Sequence, residues 1–165
     1  MTKLALGNII ALIASILMVY SGLIKNKNKI IYVQTIQIGL FTLSNLILGG
    51  FSGAIINFLS CIRNILSYKN KLGLIAKVII SLLMIIFSLK FNNLGFVGLL
   101  PLISTIVFIW GMNTNNVILL KLLIMFVSFT WLIYDIYIKS YTSLVFDIAN
   151  ILANSVSIYS IKRKK

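Results

Sequence analysis

Amide, hydroxyl and carboxyl side chains recur at helical spacing in two separate parts of the chain. Each set follows the pattern i, i+3, i+7, i+10, which places its members along one face of an α-helix. The first stripe is Asn57, Ser60, Asn64 and Ser67, and the second is Asp147, Asn150, Asn154 and Ser157. Amides both donate and accept hydrogen bonds, which suits the hydroxyls, amides or nucleobase edges of a small solute. Two such faces that meet inside a protein would form a polar binding site.

One constant offset of 90 residues relates the two stripes. The same offset aligns residues 12–16 with residues 102–106, and Tyr20 with Trp110. A single offset that aligns two separate helices predicts a tandem duplication. Parallel repeats that place polar groups near the membrane midplane are one way in which transporters are built.

The composition is that of a membrane protein. Apolar residues make up 60% of the chain and charged residues 10%, whereas soluble domains have about 45–50% and about 25%. A hydrocarbon core of about 30 Å needs about 20 helical residues, so short segments must cross steeply or thin the bilayer. Seven apolar segments can be drawn, near 5–24, 30–48, 52–68, 74–90, 95–112, 117–138 and 142–160.

We therefore expect an all-α membrane protein with seven transmembrane helices, arranged as two parallel three-helix repeats joined by a linker helix. Repeat one covers about 5–68, the linker helix about 74–90 and repeat two about 95–160, within one polytopic membrane domain over 1–165. Two adjacent three-helix units would have opposite orientations, and a fourth helix between them restores a parallel arrangement.

The net charge of +13 would suggest nucleic acid in a soluble protein, but its location favours a membrane orientation instead. One set of loops, together with the C-terminal end, gathers most of the cations: Lys25, Lys27, Lys29, Lys69, Lys71, Lys162, Arg163, Lys164 and Lys165. The opposite side shows Lys3, Lys90 and Lys139. The positive-inside rule then places the N-terminus outside and the C-terminus in the cytoplasm. We expect no nucleic-acid partner.

Several short stretches have a characteristic order and spacing along the chain: Leu48-Gly49, Ile62-Arg63, Leu99-Leu100-Pro101, Thr105-Ile106-Val107, Trp110, Trp131 and the basic C-terminal end. In this order they resemble the YgjV family of bacterial inner-membrane proteins over nearly the whole chain. The resemblance implies a multi-pass protein of the bacterial cytoplasmic membrane. The three-one-three layout also resembles the SWEET sugar transporters, which have a proline in the first helix of each repeat. Here Pro101 fills that position in repeat two, whereas Ala11 stands in repeat one.

Asp135 and Asp147 are the only acidic residues in the chain. A carboxylate deep in a bilayer costs about 2.5–3.5 kcal/mol on insertion scales, so it is rarely without a role. Asp147 could hydrogen-bond a solute or take up a proton; the alternative is neutralisation by Lys90 or Lys139. Asp135 aligns with Asn45 and could reach the outer interface.

The candidate solute-binding residues are the inner members of both stripes together with one aromatic residue: Asn57, Ser60, Asn64, Asp147, Asn150, Asn154 and Trp110. A cavity between the two stripes could hold a small polar solute. The alternative is that the stripes only join helices through hydrogen bonds, worth about 0.6 kcal/mol each on average. Trp110 would stack on a flat solute if it faces inward, or anchor at the interface.

Arg63 and Pro101 are our candidates for gating residues. Arg63 lies near the cytoplasmic end of its helix, where it could bind an anion or snorkel to lipid headgroups. Gln34 and Gln37 have no polar match in the second repeat, so we interpret them as packing or interface residues. Two further lysines, Lys77 and Lys121, lie near helix starts and are predicted to snorkel.

Signals of catalysis are lacking in the sequence. Histidine is absent and Cys61 is the lone cysteine, which removes the usual transition-metal ligand sets and any intrachain disulfide. We expect no enzymatic activity, no metal and no cofactor. The favoured function is a transporter or facilitator for a small polar solute in the lipid bilayer. The alternative is a non-transporting membrane subunit that binds a partner protein, and a homo-oligomer is compatible with either.

Overall fold

The helices of the chain follow one another with short connections. The computed structural model describes residues 2–163, so the predicted cytoplasmic charges of Lys164 and Lys165 lie outside the described residues. Within this part of the chain there are seven α-helices and no strand. They are α1 (Lys3–Leu23), α2 (Lys27–Leu48), α3 (Phe51–Tyr68), α4 (Leu74–Phe91), α5 (Leu100–Gly111), α6 (Val117–Tyr137) and α7 (Tyr141–Lys162), and a 3-10 helix (Val97–Leu99) leads into α5. The prediction of an all-helical chain is confirmed for these residues.

Five of the helices, α1, α2, α4, α6 and α7, are long and apolar enough to cross a membrane. The other two differ for identifiable reasons. Helix α3 has 18 residues and carries the first polar stripe, which lowers its hydropathy. Helix α5 has 12 residues and begins with Pro101 in its first turn, where a missing N–H costs nothing. The predicted segments agree with the helices closely, except that α5 is shorter than predicted.

Each helix packs against its neighbours in the sequence, and α7 returns to pack against α1. Helix α4 packs against α3 and α5. Side-chain hydrogen bonds join the helix ends: Ser44 Oγ donates to the carbonyl oxygen of Gly7 at 2.8 Å, which joins the end of α2 to the start of α1. At the opposite end, Lys25 Nζ donates to Ser160 Oγ at 2.9 Å and joins the connection after α1 to α7.

The offset of 90 residues also relates the boundaries of several helices. Helices α2 and α6 begin at residues 27 and 117, and α3 and α7 begin at residues 51 and 141. The caps agree as well. The Asn26 side chain accepts a hydrogen bond from the amide of Lys29, and the Asn116 side chain accepts from the amides of Ile118 and Leu119. Asparagine is among the preferred N-cap residues because its side-chain oxygen satisfies a free amide of the first turn.

The turns between α2 and α3 and between α6 and α7 share one backbone conformation. Gly49 has φ of 82°, and Lys139, 90 residues later, has φ of 58°. In the first turn the Gly50 amide donates to the carbonyl oxygen of Asn45 at 2.9 Å, and in the second turn the Ser140 amide donates to the carbonyl oxygen of Asp135 at 3.0 Å. Glycine adopts this left-handed conformation freely, whereas a lysine pays a steric penalty.

The polar stripes lie inside the helical assembly beside a buried apolar core, and many large apolar residues cover its outer surface. On α7, Asp147, Asn150 and Asn154 are buried, while Leu152 and Val156 on the other face are more than 60% exposed. An apolar outer surface suits a lipid environment, in which backbone and side-chain polar groups must be satisfied within the protein. The two predicted stripes therefore face the interior.

Candidate functional site

A cavity of about 90 Å³ lies among α1, α2, α3, α5, α6 and α7. A single buried water needs roughly 10–15 Å³ of such space, so the cavity has room for several waters or one small solute. Four stripe residues lie on its wall: Asn57, Ser60, Asp147 and Asn150. The structure thus brings members of both stripes to one space, on α3 and α7.

The residues of the cavity wall form pairs separated by 90 positions. Of the described lining residues, Arg63 and Thr105 stand outside these pairs. The eight pairs are Met18 with Phe108, Gln34 with Ile124, Gln37 with Val127, Ile38 with Ser128, Phe41 with Trp131, Asn45 with Asp135, Asn57 with Asp147, and Ser60 with Asn150. Residues that lie 90 positions apart in the sequence therefore face the same space.

Some residues paired by the offset of 90 positions bring different chemical groups to the cavity wall. Asn45 and Asn57 supply amides from α2 and α3, whereas Asp135 and Asp147 supply carboxyl groups from α6 and α7. Asp135 is buried, with 4% of its surface exposed, and does not reach the interface as the sequence allowed. It shares the cavity wall with Asp147, so two carboxyl groups, one from α6 and one from α7, face the same space as a carboxyl pair.

Several buried polar atoms on this wall lack a hydrogen-bond partner in the described chain. They are Gln37 Oε1, Asn45 Nδ2 and Asp147 Oδ2. A buried polar group without a partner costs about 1–3 kcal/mol. The set includes a donor and two oxygens, so a bound solute with both donors and acceptors would satisfy these atoms.

Asn150 is held in place by hydrogen bonds on both sides of its amide. Its Nδ2 donates to Ser128 Oγ at 2.8 Å, and its Oδ1 accepts from Asn154 Nδ2 at 3.0 Å. Asn154 is fully buried and does not line the cavity. The structure therefore places Asn154 behind Asn150, where it orients the amide that faces the cavity.

Arg63 contributes the one cationic side chain among the described lining residues. It is 3% exposed, so it does not snorkel to the surface. Its Nε and Nη2 donate to Asn64 Oδ1 at 3.1 and 2.9 Å, and its guanidinium lies 4.7 Å from the centre of the Phe108 ring. Asn64 is itself off the cavity wall. Neither contact is an anion, so the positive charge of Arg63 is available to the cavity.

Comparison with known protein families decides the class of this chain. The model of the Imp-YgjV family, described as a bacterial inner membrane protein, matches residues 5–165. The chain belongs to the Imp-YgjV family. This match confirms the resemblance to YgjV proteins. It also confirms the prediction that the chain is a bacterial inner-membrane protein in contact with the lipid bilayer. Searches of curated proteins and of solved structures gave no match.

Besides Asn64 and Asn154, two other residues predicted from the sequence lie off the cavity wall of this Imp-YgjV protein. Trp110 is 48% exposed, and Lys77 Nζ lies 5.6 Å from the centre of its ring. Pro101 is buried in the first turn of α5 and does not line the cavity. Neither Trp110, predicted to stack on a solute, nor Pro101, predicted to act in gating, therefore lines the cavity.

Other lining residues of the Imp-YgjV chain were missed or undervalued at the sequence level. Gln34 and Gln37, interpreted as packing or interface residues, lie on the cavity wall, as do Ser128 and Trp131. The offset of 90 positions pairs Trp131 with Phe41 and Ser128 with Ile38, so it could have indicated that these residues share one cavity. The indication was weak because a polar residue paired with an apolar one, such as Ser128 with Ile38, does not suggest a shared polar wall.

Proposed function

We propose that the chain is a carrier or facilitator that moves a small polar solute across the bacterial inner membrane. The observation that supports this most strongly is the cavity wall, where eight pairs of residues separated by 90 positions surround one polar space. A polar cavity between equivalent halves is the usual position of a solute site in repeat-built transporters. We propose no catalytic activity for it.

The proposal includes the repeat architecture. Repeat one, about 5–68, and repeat two, about 95–160, would be parallel three-helix units in a layout similar to the SWEET transporters. Helix α4 would be the linker, because it packs against α3 and α5 and contributes no described residue to the cavity wall. All seven helices would cross the membrane, including the short α5 and the polar α3.

The orientation follows from charge. The bond between Lys25 and Ser160 brings the connection after α1 next to the last turns of α7, so the cations of these segments share one end of the assembly. We propose that this end faces the cytoplasm, because basic segments are retained there. The N-terminus would then lie outside.

The alternative, a subunit that binds a partner protein through its polar stripes, is less well supported. The stripes are covered by helices of the same chain: Asn57 is 7% exposed and Asn154 is fully buried. A partner would have to displace these helices to reach the polar groups. A solute would only have to enter the existing cavity.

Cysteine accessibility in a Cys61→Ser background tests the proposal. Ser60→Cys places a thiol on the cavity wall, whereas the matched control Phe58→Cys lies on the outer face of α3, 57% exposed toward lipid. We expect a small charged methanethiosulfonate reagent to modify residue 60 from each side of oriented vesicles, and residue 58 from neither. Failure to modify residue 60 from either side, in folded protein, would contradict a carrier.

A further inference from the structure

The cavity wall carries charges of both signs at different depths. Asn57 lies six positions after the first residue of α3, and Asp147 lies six positions after the first residue of α7. Because α3 and α7 begin at the same end of the assembly, these residues lie at similar depth. Arg63 lies six positions further along α3, about 9 Å at the helical rise of 1.5 Å per residue. The carboxyl pair and the guanidinium are thus separated along the helix axis by a distance that a small molecule can bridge.

Both charged groups offer unused binding capacity toward the cavity. Asp147 Oδ2 has no hydrogen-bond partner in the described chain, and the contacts of Arg63 are the neutral Asn64 side chain and the Phe108 ring. Arginine binds carboxylates with paired N–H donors, at distances of about 2.7–2.9 Å. A carboxylate with a free lone pair is the natural partner of an ammonium group.

From this arrangement we propose that the transported solute is a small zwitterion of the amino-acid class. Its carboxylate binds Arg63 and its ammonium group binds the Asp135–Asp147 pair. The inference rests on the proposed function and adds the chemistry of the substrate. Amides at Asn45, Asn57 and Gln37 would contact the remaining polar groups of the solute.

The presence of acidic and basic groups on one wall supports a zwitterion over an anion or a cation. The wall offers the carboxyl groups of Asp135 and Asp147 and the guanidinium of Arg63. A zwitterion would give the carboxyl pair and Arg63 each a partner of opposite charge. A simple anion would leave the carboxyl pair unpaired, and a simple cation would leave Arg63 unpaired, each at a desolvation cost in a membrane interior.

The decisive experiment compares whole and partial ligands on the purified wild-type protein. L-alanine is measured against propionate, which lacks the ammonium group, and ethylamine, which lacks the carboxylate; L-serine and L-asparagine extend the set. Thermal stabilisation and uptake into proteoliposomes are the readouts. We expect at least one of the amino acids to bind saturably, and propionate and ethylamine to bind at least 10-fold more weakly. Equal binding of L-alanine and one of its partial analogues would overturn the proposal.

Substitutions of Arg63 then test whether this residue binds the carboxylate end of the solute. Arg63→Met should weaken amino-acid binding at least 10-fold, and Arg63→Lys should restore part of it because the charge is kept. Lys77→Met is the matched control, since Lys77 is also buried but lies against Trp110, away from the cavity. Unchanged binding in folded Arg63→Met would refute the assignment. The wild-type ligand comparison still decides the question if this variant does not fold.

The outcomes separate this inference from the proposed function. If no amino acid binds but a nucleoside or a sugar does, and residue 60 is accessible from both sides, the carrier stands and the zwitterion is wrong. If residue 60 is inaccessible from both sides and no solute binds, both proposals fail.

Discussion

Lys121 Nζ donates a hydrogen bond of 2.6 Å to the carbonyl oxygen of Gly22. The lysine side chain is fully buried, so it does not snorkel, contrary to the expectation from its place near a helix start. Gly22 lies in the last turn of α1, where carbonyl groups have no partner within the helix. The ammonium group satisfies one of them and joins α6 to α1 beside the cavity.

Gly22 packs against two asparagine side chains of α7, so a larger residue at this position should disturb them. A Cβ atom there would lie 2.8 Å from Asn154 Nδ2 and 2.9 Å from Asn150 Oδ1. We expect Gly22→Ala to displace the Asn150 amide and to weaken solute binding about 10-fold or more. Gly39→Ala is the control, because its nearest neighbour is Cys61 Sγ at 3.8 Å; alanine also favours helix there by up to about 1 kcal/mol. Equal ligand affinity in the two variants would contradict the packing described.

Tyr134 joins α6 to the first turn of α3 at the opposite end of the assembly. Its hydroxyl accepts a hydrogen bond from the Gly53 amide at 3.1 Å and lies 3.3 Å from Ser52 Oγ. We expect Tyr134→Phe to lower the free energy of unfolding by about 1–3 kcal/mol, since a buried first-turn amide loses its partner. Thermal unfolding in detergent measures this change. Tyr137→Phe on the same helix, 59% exposed, should stay within about 0.5 kcal/mol.

Substitution of the two tryptophans tests which of them contacts the solute: Trp110, as the sequence predicted, or Trp131, as the structure indicates. Trp131 lines the cavity and packs edge-on to Tyr134 at 5.4 Å, whereas Trp110 is half exposed. Trp131→Leu should reduce solute affinity at least 5-fold, and Trp110→Leu should leave it within 2-fold of the wild type. Isothermal titration or ligand-induced thermal shifts would measure both. A larger loss at Trp110 would support the stacking role predicted from the sequence.

Replacing Ser128 tests whether the orientation of the Asn150 amide matters for binding. Its hydroxyl accepts from Asn150 Nδ2, so Ser128→Ala should release the amide and weaken binding about 2–10-fold, the range for one neutral hydrogen bond. Ser88→Ala on α4 is the control: Ser88 is fully buried but off the cavity wall. Binding by Ser128→Ala that matches the control would show that the hydrogen bond to Asn150 does not matter for affinity.

The proposed orientation has a direct test in intact cells, again with Cys61 replaced by serine. Asn93→Cys lies in the connection before α5, and Asn115→Cys lies in the connection before α6; both positions are exposed. An impermeant maleimide added to spheroplasts should label residue 93 and leave residue 115 unlabelled until the membrane is broken. The reverse pattern would place the N-terminus in the cytoplasm.

The sequence predicted the helices well because membrane helices leave strong local signals. Apolar segments located all of the helices, and the stripe spacing located Asn57, Ser60, Asp147 and Asn150 on one cavity. The depth of Asp135 and the position of Trp110 could not be predicted, because both depend on how α6 and α5 rotate about their axes. Hydropathy does not fix that rotation, which is set by packing against neighbouring helices.

The pairing of the cavity wall has a consequence for how such a site could arise. A dimer of two chains like residues 5–68 would place two arginines and eight amides around the cavity, and no carboxyl group. A dimer of two chains like residues 95–160 would place four carboxyl groups there, with Ala153 at the position of Arg63. Neither symmetric dimer would present one guanidinium opposite one carboxyl pair. Under the proposed duplication, joining the copies in one gene would let the halves specialise and recognise a molecule that has two different ends.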